Sequence, residues 1–137
     1  MTESGANGGG TAGGGAMPAK VDVAEKLARI TEHWRPKLIA ELNGQEVKLA
    51  KFMGEFVWHR HEHEDELFLC VAGSFRVEYR DHVETLTPGQ LIVVPRGVLH
   101  RTVADAEAAA LIFEPAATRN TGDVVDAKLT APNGVRI

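Results

Sequence analysis

The chain has 137 residues, 44% of them hydrophobic, and its 19 acidic and 15 basic residues leave a formal charge of -4. A domain of this size buries roughly two-thirds of the surface that its unfolded chain exposes, so it needs no disulfide or metal ion merely to fold. The mild acidity, without a cluster of lysine and arginine, argues against a nucleic-acid or anionic-membrane partner.

No apolar run approaches the ~18 to 20 residues that a membrane span needs. The first twenty residues also lack the charged start and apolar middle of a secretory signal. The single cysteine, Cys70, has no second cysteine with which to form an internal disulfide. We therefore expect a cytoplasmic protein of one domain, with no membrane partner.

The first predicted elements are a tail and a helix. Residues 1–17 hold seven of the 14 glycines and almost no apolar side chain larger than alanine, so we predict a disordered, glycine-rich tail. From about residue 22 to 34 the apolar residues recur at three- and four-residue steps, Asp22 is placed to cap the start, and Pro36 follows the end. This pattern predicts one short amphipathic helix.

After Pro36 the apolar period becomes two, and glycine or proline turn signals come every eight to twelve residues. Asn43-Gly44 favours a tight hairpin, because both residues accept positive φ. Seven or eight short strands predict an all-β fold, an antiparallel sandwich or barrel. The predicted strands cover residues 37–42, 46–61, 66–72, 74–80, 83–86, 90–94, 99–103 and 108–114. Residues 116–137 are predicted to extend over the barrel or a partner subunit.

Four residues carry candidate metal chemistry. His59 and His61 lie two apart, so in a strand they share one face and direct two imidazoles to one point. Glu66 opens the next predicted strand and can return a carboxylate to that point. His100 follows the rigid corner Pro95-Arg96-Gly97. His63 has the same parity, so His61 and His63 form an alternative pair.

The spacing of these residues resembles two known motifs. Gly54-x4-His59-x-His61-x4-Glu66-x6-Gly73 is similar to the first motif of the cupin family, one residue short between its glycine and first histidine. Gly89-x5-Pro95-x-Gly97-x2-His100 is similar to the second, except that Ala104 stands where the family has asparagine. The chain thus resembles small bacterial single-domain cupins, some of which are likened to sugar-phosphate isomerases.

The resemblance implies a jelly-roll β-barrel, over residues 18–115, that holds one divalent metal ion through His59, His61, Glu66 and His100. Three neutral imidazoles and one carboxylate suit Fe, Mn, Ni, Co, Cu or Zn. The site would carry a residual charge of about +1 and, if octahedral, two open positions. We therefore favour a metal-dependent enzyme, of oxygenase or isomerase/lyase type, acting on a small anionic or chelating molecule.

Two side chains are candidates for acid/base catalysis. His63 on the rim can change its charge near neutral pH, and Glu55 shares the parity of the ligands. Because no other convincing acid/base group has that parity, a non-catalytic metal-dependent binding or sensing module is the alternative. We also expect a homodimer, since the helix with Trp34 and the C-terminal stretch supply apolar material that a closed barrel does not need.

Overall fold

The computed structural model describes residues 17–137, so the predicted tail of residues 1–17 lies, apart from Met17, outside the described residues. Within them the chain forms one helix and seven strands: α1 (Val23–Ala28), β1 (Lys37–Leu42), β2 (Gln45–Glu55), β3 (Glu66–Ala72), β4 (Phe75–Glu78), β5 (Val83–Leu86), β6 (Leu91–Val94) and β7 (Arg101–Pro115). The prediction of an antiparallel, all-β jelly roll with one short N-terminal helix is confirmed. No helix in this part of the chain is long and apolar enough to cross a membrane.

Strand β7 organises the sheet, because β2, β3 and β4 all pair with it in antiparallel register. The main strand order is β1-β2-β7-β3-β6, and β5 joins through β4. Two strands were predicted where β7 is a single one of 15 residues. The stretch between them, Ala104-Asp105-Ala106-Glu107, contains no glycine or proline, so the chain stays extended through it, although the last three of these residues are exposed.

The core is aromatic and lies between the two walls of the barrel. Phe75 is the centre of it, with Phe52 at 5.1 Å and Phe68 at 6.2 Å between ring centroids. Trp34 stacks on Phe52 and on Phe56, in each case with 4.7 Å between the ring centroids. These contacts place the side chain of Trp34 inside the barrel, where its Nε1 donates a hydrogen bond to the carbonyl of Met53.

The helix is shorter than the predicted span of residues 22–34 and ends at Ala28. Asp22 caps its start by accepting a hydrogen bond from the amide of Glu25, as predicted. The predicted end is wrong because Trp34 adopts a φ of +63°, and its amide donates to the carbonyl of Lys51. Burying the indole in the barrel outweighs continuing a helix that is too short to be stable by itself.

Residues after Pro115 contact the barrel of their own chain. Val135 accepts a hydrogen bond from the amide of Leu38, and the amide of Ile137 donates to the carbonyl of Leu38, so this segment follows strand β1. The side-chain amide of Asn120 donates to the carbonyl of Trp34. This C-terminal extension, residues 116–137, therefore packs along β1 and against the segment of Trp34.

We expect Trp34→Ala to lower the free energy of unfolding by about 3 to 5 kcal/mol, because it leaves a cavity against the rings of Phe52 and Phe56. Trp58→Ala is the matched control. Its indole is half-buried and packs under the guanidinium of Arg80, 4.3 Å from the ring centroid, so we expect a loss of about 1 kcal/mol. Urea titrations of the two variants measure the difference, and equal losses would contradict the role of Trp34 in the core.

Candidate metal centre

His59 and His61 lie in the connection between β2 and β3 and not inside a strand. The predicted strand of residues 46–61 is wrong in its second half, since β2 ends at Glu55. A register shift between Phe52 and Gly54, where Gly54 has a φ of +84°, interrupts the pairing of β2 with β7. The histidine pair is therefore held by contacts with other segments.

The first of these contacts joins the two motifs directly. The amide of His59 donates to the carbonyl of His100, and the amide of His100 donates back to the carbonyl of His59, both at 2.9 Å. This isolated antiparallel bridge places the two imidazole centroids 4.4 Å apart. Two residues that are 41 positions apart thus present their rings to one point.

The corner of residues 95–97 holds the other end of the histidine segment. The amide of Gly97 donates to the carbonyl of His61 at 2.8 Å. Asp65 accepts a bond from the amide of Arg96 at 2.8 Å, and its carboxylate also pairs with that guanidinium. The corner therefore positions His61 and the start of β3 together.

Glu66 completes the cluster as the first residue of β3. Its Oε1 lies 3.2 Å from His61 Nε2 and 3.3 Å from His100 Nε2. The donor atoms of His59, His61, Glu66 and His100 all lie within 4.8 Å of one another, and all four residues are buried. Two donors that share one ion at about 2.1 Å lie roughly 3 to 3.5 Å apart, so the distances to Glu66 suit a single metal ion.

The hydrogen bonds of the imidazoles also suit a metal ion. Nδ1 of His59 and Nδ1 of His100 each lie 2.9 Å from a backbone carbonyl, that of Val57 and that of Val98. A proton held on Nδ1 leaves Nε2 with a free lone pair, the state that binds a metal. The contacts with Glu66 do not have hydrogen-bond geometry, and the buried atoms without a partner include His61 Nδ1, His61 Nε2, His100 Nε2 and Glu66 Oε1. Such atoms destabilise a folded protein unless a ligand satisfies them.

The pKa values within the cluster favour a carboxylate beside imidazoles. Burial by itself would raise the pKa of Glu66, but the imidazoles of His100 and His61 outweigh it and hold that pKa well below its usual range. Burial lowers the pKa of His59 to about 4, and the neighbouring His100 adds to this effect. At neutral pH, His59 is therefore neutral and Glu66 is ionised, as metal ligands must be.

The two predicted acid/base candidates lie outside the cluster. Glu55 was a candidate cavity carboxylate on its parity, with a charged residue at the end of the sheet as the other account, and it is the last residue of β2. Its side chain is 69% exposed and pairs with Arg101 at 3.2 Å. Strand β2 ends at Glu55, so the alternation counted back from His59 does not hold over residues 56–58. His63 is exposed. It lines a groove of about 360 Å³ together with His61 and Arg119 at the mouth of the barrel.

The interior beside the cluster holds a buried charge network that the sequence did not reveal. Glu114, 1% exposed, lines the same cavity as His59 and Glu66. Lys48 donates to its carboxylate at 2.9 Å, while burial raises the pKa of Glu114 well above its usual range. The cavity measures about 20 Å³, which is room for one water molecule. Lys48 and Glu114 lie at positions of β2 and β7 whose side chains point into the barrel. A charged residue at a position where the alternation predicts an apolar one was the only indication of them in the sequence.

Comparison with known proteins gives consistent results. The model of the cupin domain family matches residues 40–114. An uncharacterized protein of Bacillus subtilis, YdbB, is 37% identical over 65 residues, which span 47% of this chain and 58% of that protein. The chain thus matches little more than half the length of this curated relative.

Solved structures extend the likeness to the three-dimensional fold. A cupin-2 domain containing protein from Shewanella frigidimarina is 39% identical, with a TM-score of 0.68 over 69% of this chain and 93% of that one. A protein from Neisseria meningitidis is 27% identical, with a TM-score of 0.66 over 72% of this chain and 100% of that one. Each of these two structures aligns over more than two-thirds of this chain.

We expect the metal-free protein to lose stability as the pH falls from about 6.5 to 4. The pKa of His59 is about 4 in the folded protein and ordinary, about 6.5, in the unfolded chain. The unfolded chain therefore binds the proton first, and at pH 5 this group costs the folded state about 2 kcal/mol. Urea titrations at pH 7.5 and pH 5 in the presence of a chelator measure the loss.

His61 acts in the opposite direction. Burial lowers its pKa, but Glu66, Glu64 and Asp123 outweigh burial and raise it. The contribution of His61 to the free energy of unfolding is therefore present at low pH and is lost as the pH rises through its raised pKa. The variant His59→Gln isolates the first effect, because it keeps His61. If His59→Gln loses as much stability at pH 5 as the parent protein does, the loss of stability does not come from His59.

Proposed function

The chain belongs to the cupin family, and we propose that it is a metal-dependent enzyme acting on a small anionic or chelating molecule. The observation that carries this proposal is the buried cluster of His59, His61, Glu66 and His100, whose donor atoms converge while several lack a hydrogen-bond partner. A divalent ion held by these four would supply Lewis-acid chemistry or, if it is iron, oxygen activation. The proposed ion is Fe, Mn, Ni, Co, Cu or Zn.

We place the small molecule in the groove at the barrel mouth and not in the interior. The interior cavity has room for only one water molecule, whereas the groove of about 360 Å³ falls in the usual range for small-molecule sites. His63 and Arg119 line this groove beside His61. We propose that His63 exchanges protons with the bound molecule. Glu62, Glu64 and Asp123 also line the groove, so we propose that an anionic group pairs with Arg119 and with the metal ion and not with the groove as a whole.

The alternative is a non-catalytic module that uses the same ion to hold a ligand. The position of Glu55, exposed and paired with Arg101, favours it, because the cluster then lacks one of its two predicted acid/base groups. Turnover separates the two functions. A small dicarboxylate or hydroxy acid that stabilises the metal-loaded protein and is recovered unchanged favours the module, while conversion of that molecule favours the enzyme. We retain the cytoplasm as the proposed location, because the single cysteine, Cys70, is free and buried.

We expect protein purified without chelators to contain about one divalent ion per chain, measured by plasma mass spectrometry. The double variant His59→Ala/His100→Ala should lose it, because two of four ligands are gone. His33→Ala/His82→Ala is the control, since both of those imidazoles are exposed and pair with surface carboxylates. Equal metal content in the two double variants would contradict the proposed site.

We also propose that the protein works as a homodimer, through the outer face of its sheet. The cross-strand register aligns two apolar rows over four neighbouring strands: Val47, Phe113, Leu67 and Val93 in one, and Leu49, Leu111, Leu69 and Leu91 in the other. Helix α1 and Ile137 cover the end at Leu49. At the other end Leu91 and Val93 are 58% and 50% exposed.

A second copy of the chain is the occupant that this face favours. Neither row contains an ionisable residue, so the face offers no charge that would select a different partner, and homodimer interfaces are the more apolar class. A two-fold axis pairs such a face with itself. Trp34 does not contribute as expected, because it lies inside the barrel.

We expect the parent protein to sediment as a dimer at tens of micromolar and Leu91→Lys/Val93→Lys as a monomer. Charges at these positions would have to be buried without partners in the dimer. Val125→Lys is the control, because Val125 is 73% exposed and lies in the C-terminal extension. A monomeric parent protein, or a dimeric double variant, would contradict this interface.

A further inference from the structure

The segment that carries His59 and His61 needs a support that the barrel strands do not supply. Ten residues separate the end of β2 at Glu55 from the start of β3 at Glu66. The bridge to His100 and the bond to Gly97 hold this segment on one side. Between the two ligands lies Arg60, whose backbone takes part in neither of these contacts.

Asp123 of the C-terminal extension binds both backbone groups of Arg60. Its amide donates to the carbonyl of Arg60 at 2.9 Å. Its Oδ1 accepts from the amide of Arg60 at 3.0 Å. The backbone of the residue between the two ligands is thus fully paired by one residue that is 63 positions away in the chain.

Gly122 allows this close approach. It has a φ of +58°, and a Cβ built on it would lie 2.2 Å from the carbonyl oxygen of Arg60 and 2.9 Å from Cδ2 of the His59 ring. The next residue back, Thr121, is fully buried and bonds to Val124 and Thr130. A rigid turn of the C-terminal extension therefore packs against the segment that carries His59 and His61.

We propose that Gly122 and Asp123 are positioning residues that set the geometry of the His59 and His61 ligands. The Gly122–Asp123 clamp fixes the peptide groups on both sides of Arg60, and this fixes the directions in which the two imidazoles leave the backbone. The proposal rests on the metal site proposed above. It makes the metal site depend on two residues that lie outside the region matched by the cupin family model, which ends at residue 114.

The test measures Co²⁺ affinity of the metal-free full-length protein by visible absorption. Asp123→Ala should lower the affinity about 10-fold or more, as is typical when a group that orients metal ligands is lost. Asp123→Asn should stay within about 3-fold of the parent protein, because its side-chain carbonyl still accepts from the Arg60 amide. Both variants remove the charge of Asp123. An affinity that Asp123→Asn keeps and Asp123→Ala loses therefore depends on the hydrogen bond and not on the charge.

Gly122→Ala and Gly134→Ala form a matched pair. Both glycines lie in the extension at positive φ, but a Cβ on Gly134 meets nothing within 4 Å. Both alanines are strained to a similar degree by the backbone, so only Gly122→Ala should lose Co²⁺ affinity and change the Co²⁺ spectrum. Equal affinities in the pair would overturn the role of Gly122.

Hydrogen exchange of the Arg60 amide in the metal-free protein separates the clamp from the metal site. Asp123→Ala should speed this exchange, because the amide of Arg60 loses its acceptor. The side chain of Asp123 is 38% exposed in the parent protein, so the variant should still fold. If the parent protein binds no Co²⁺, the proposed function fails while the clamp is judged by exchange alone. Unchanged exchange, or unchanged Co²⁺ affinity in Asp123→Ala, would overturn the clamp.

Discussion

The carboxylate of Glu66 lies among three imidazoles in a region where there is room for about one water molecule. A buried charge with unpaired neighbours is unfavourable unless a ligand satisfies them, so the surrounding structure must hold these groups in place. The aromatic core around Phe75 and the long strand β7 provide the rigid wall. The pairing of His59 with His100 then makes the two motifs into one site.

Three separate segments restrain the histidines. The bridge at His100 and the corner at Gly97 act from one side, and Asp123 acts on Arg60 from the other. None of these contacts belongs to a regular strand ladder. Catalytic and binding groups are commonly carried by loops on a rigid scaffold. Here backbone hydrogen bonds hold those loops, and the Nε2 atoms of the imidazoles stay available for a ligand.

The two departures from the family pattern are partners in space. Gly54, one position from its expected place, pairs across the sheet with Ala104, which replaces the expected asparagine. Ala104 is fully buried, and the register shift of β2 lies beside it. The parity argument fails for Glu55 because β2 ends there and the segment to His59 is not a strand. Glu66, by contrast, opens β3 as predicted and faces Val94 in a regular ladder.

The sequence by itself indicated most of the strands, the hairpin at Asn43-Gly44 and the four residues of the candidate metal cluster, because alternation, turn chemistry and motif spacing can be read along the chain. It did not determine the end of helix α1, the orientation of Glu55, the burial of Lys48 and Glu114, or the clamp at Gly122. Each of these depends on a contact between residues far apart in the chain. Only the closed barrel brings such residues together, and there burial and backbone pairing outweigh local preference.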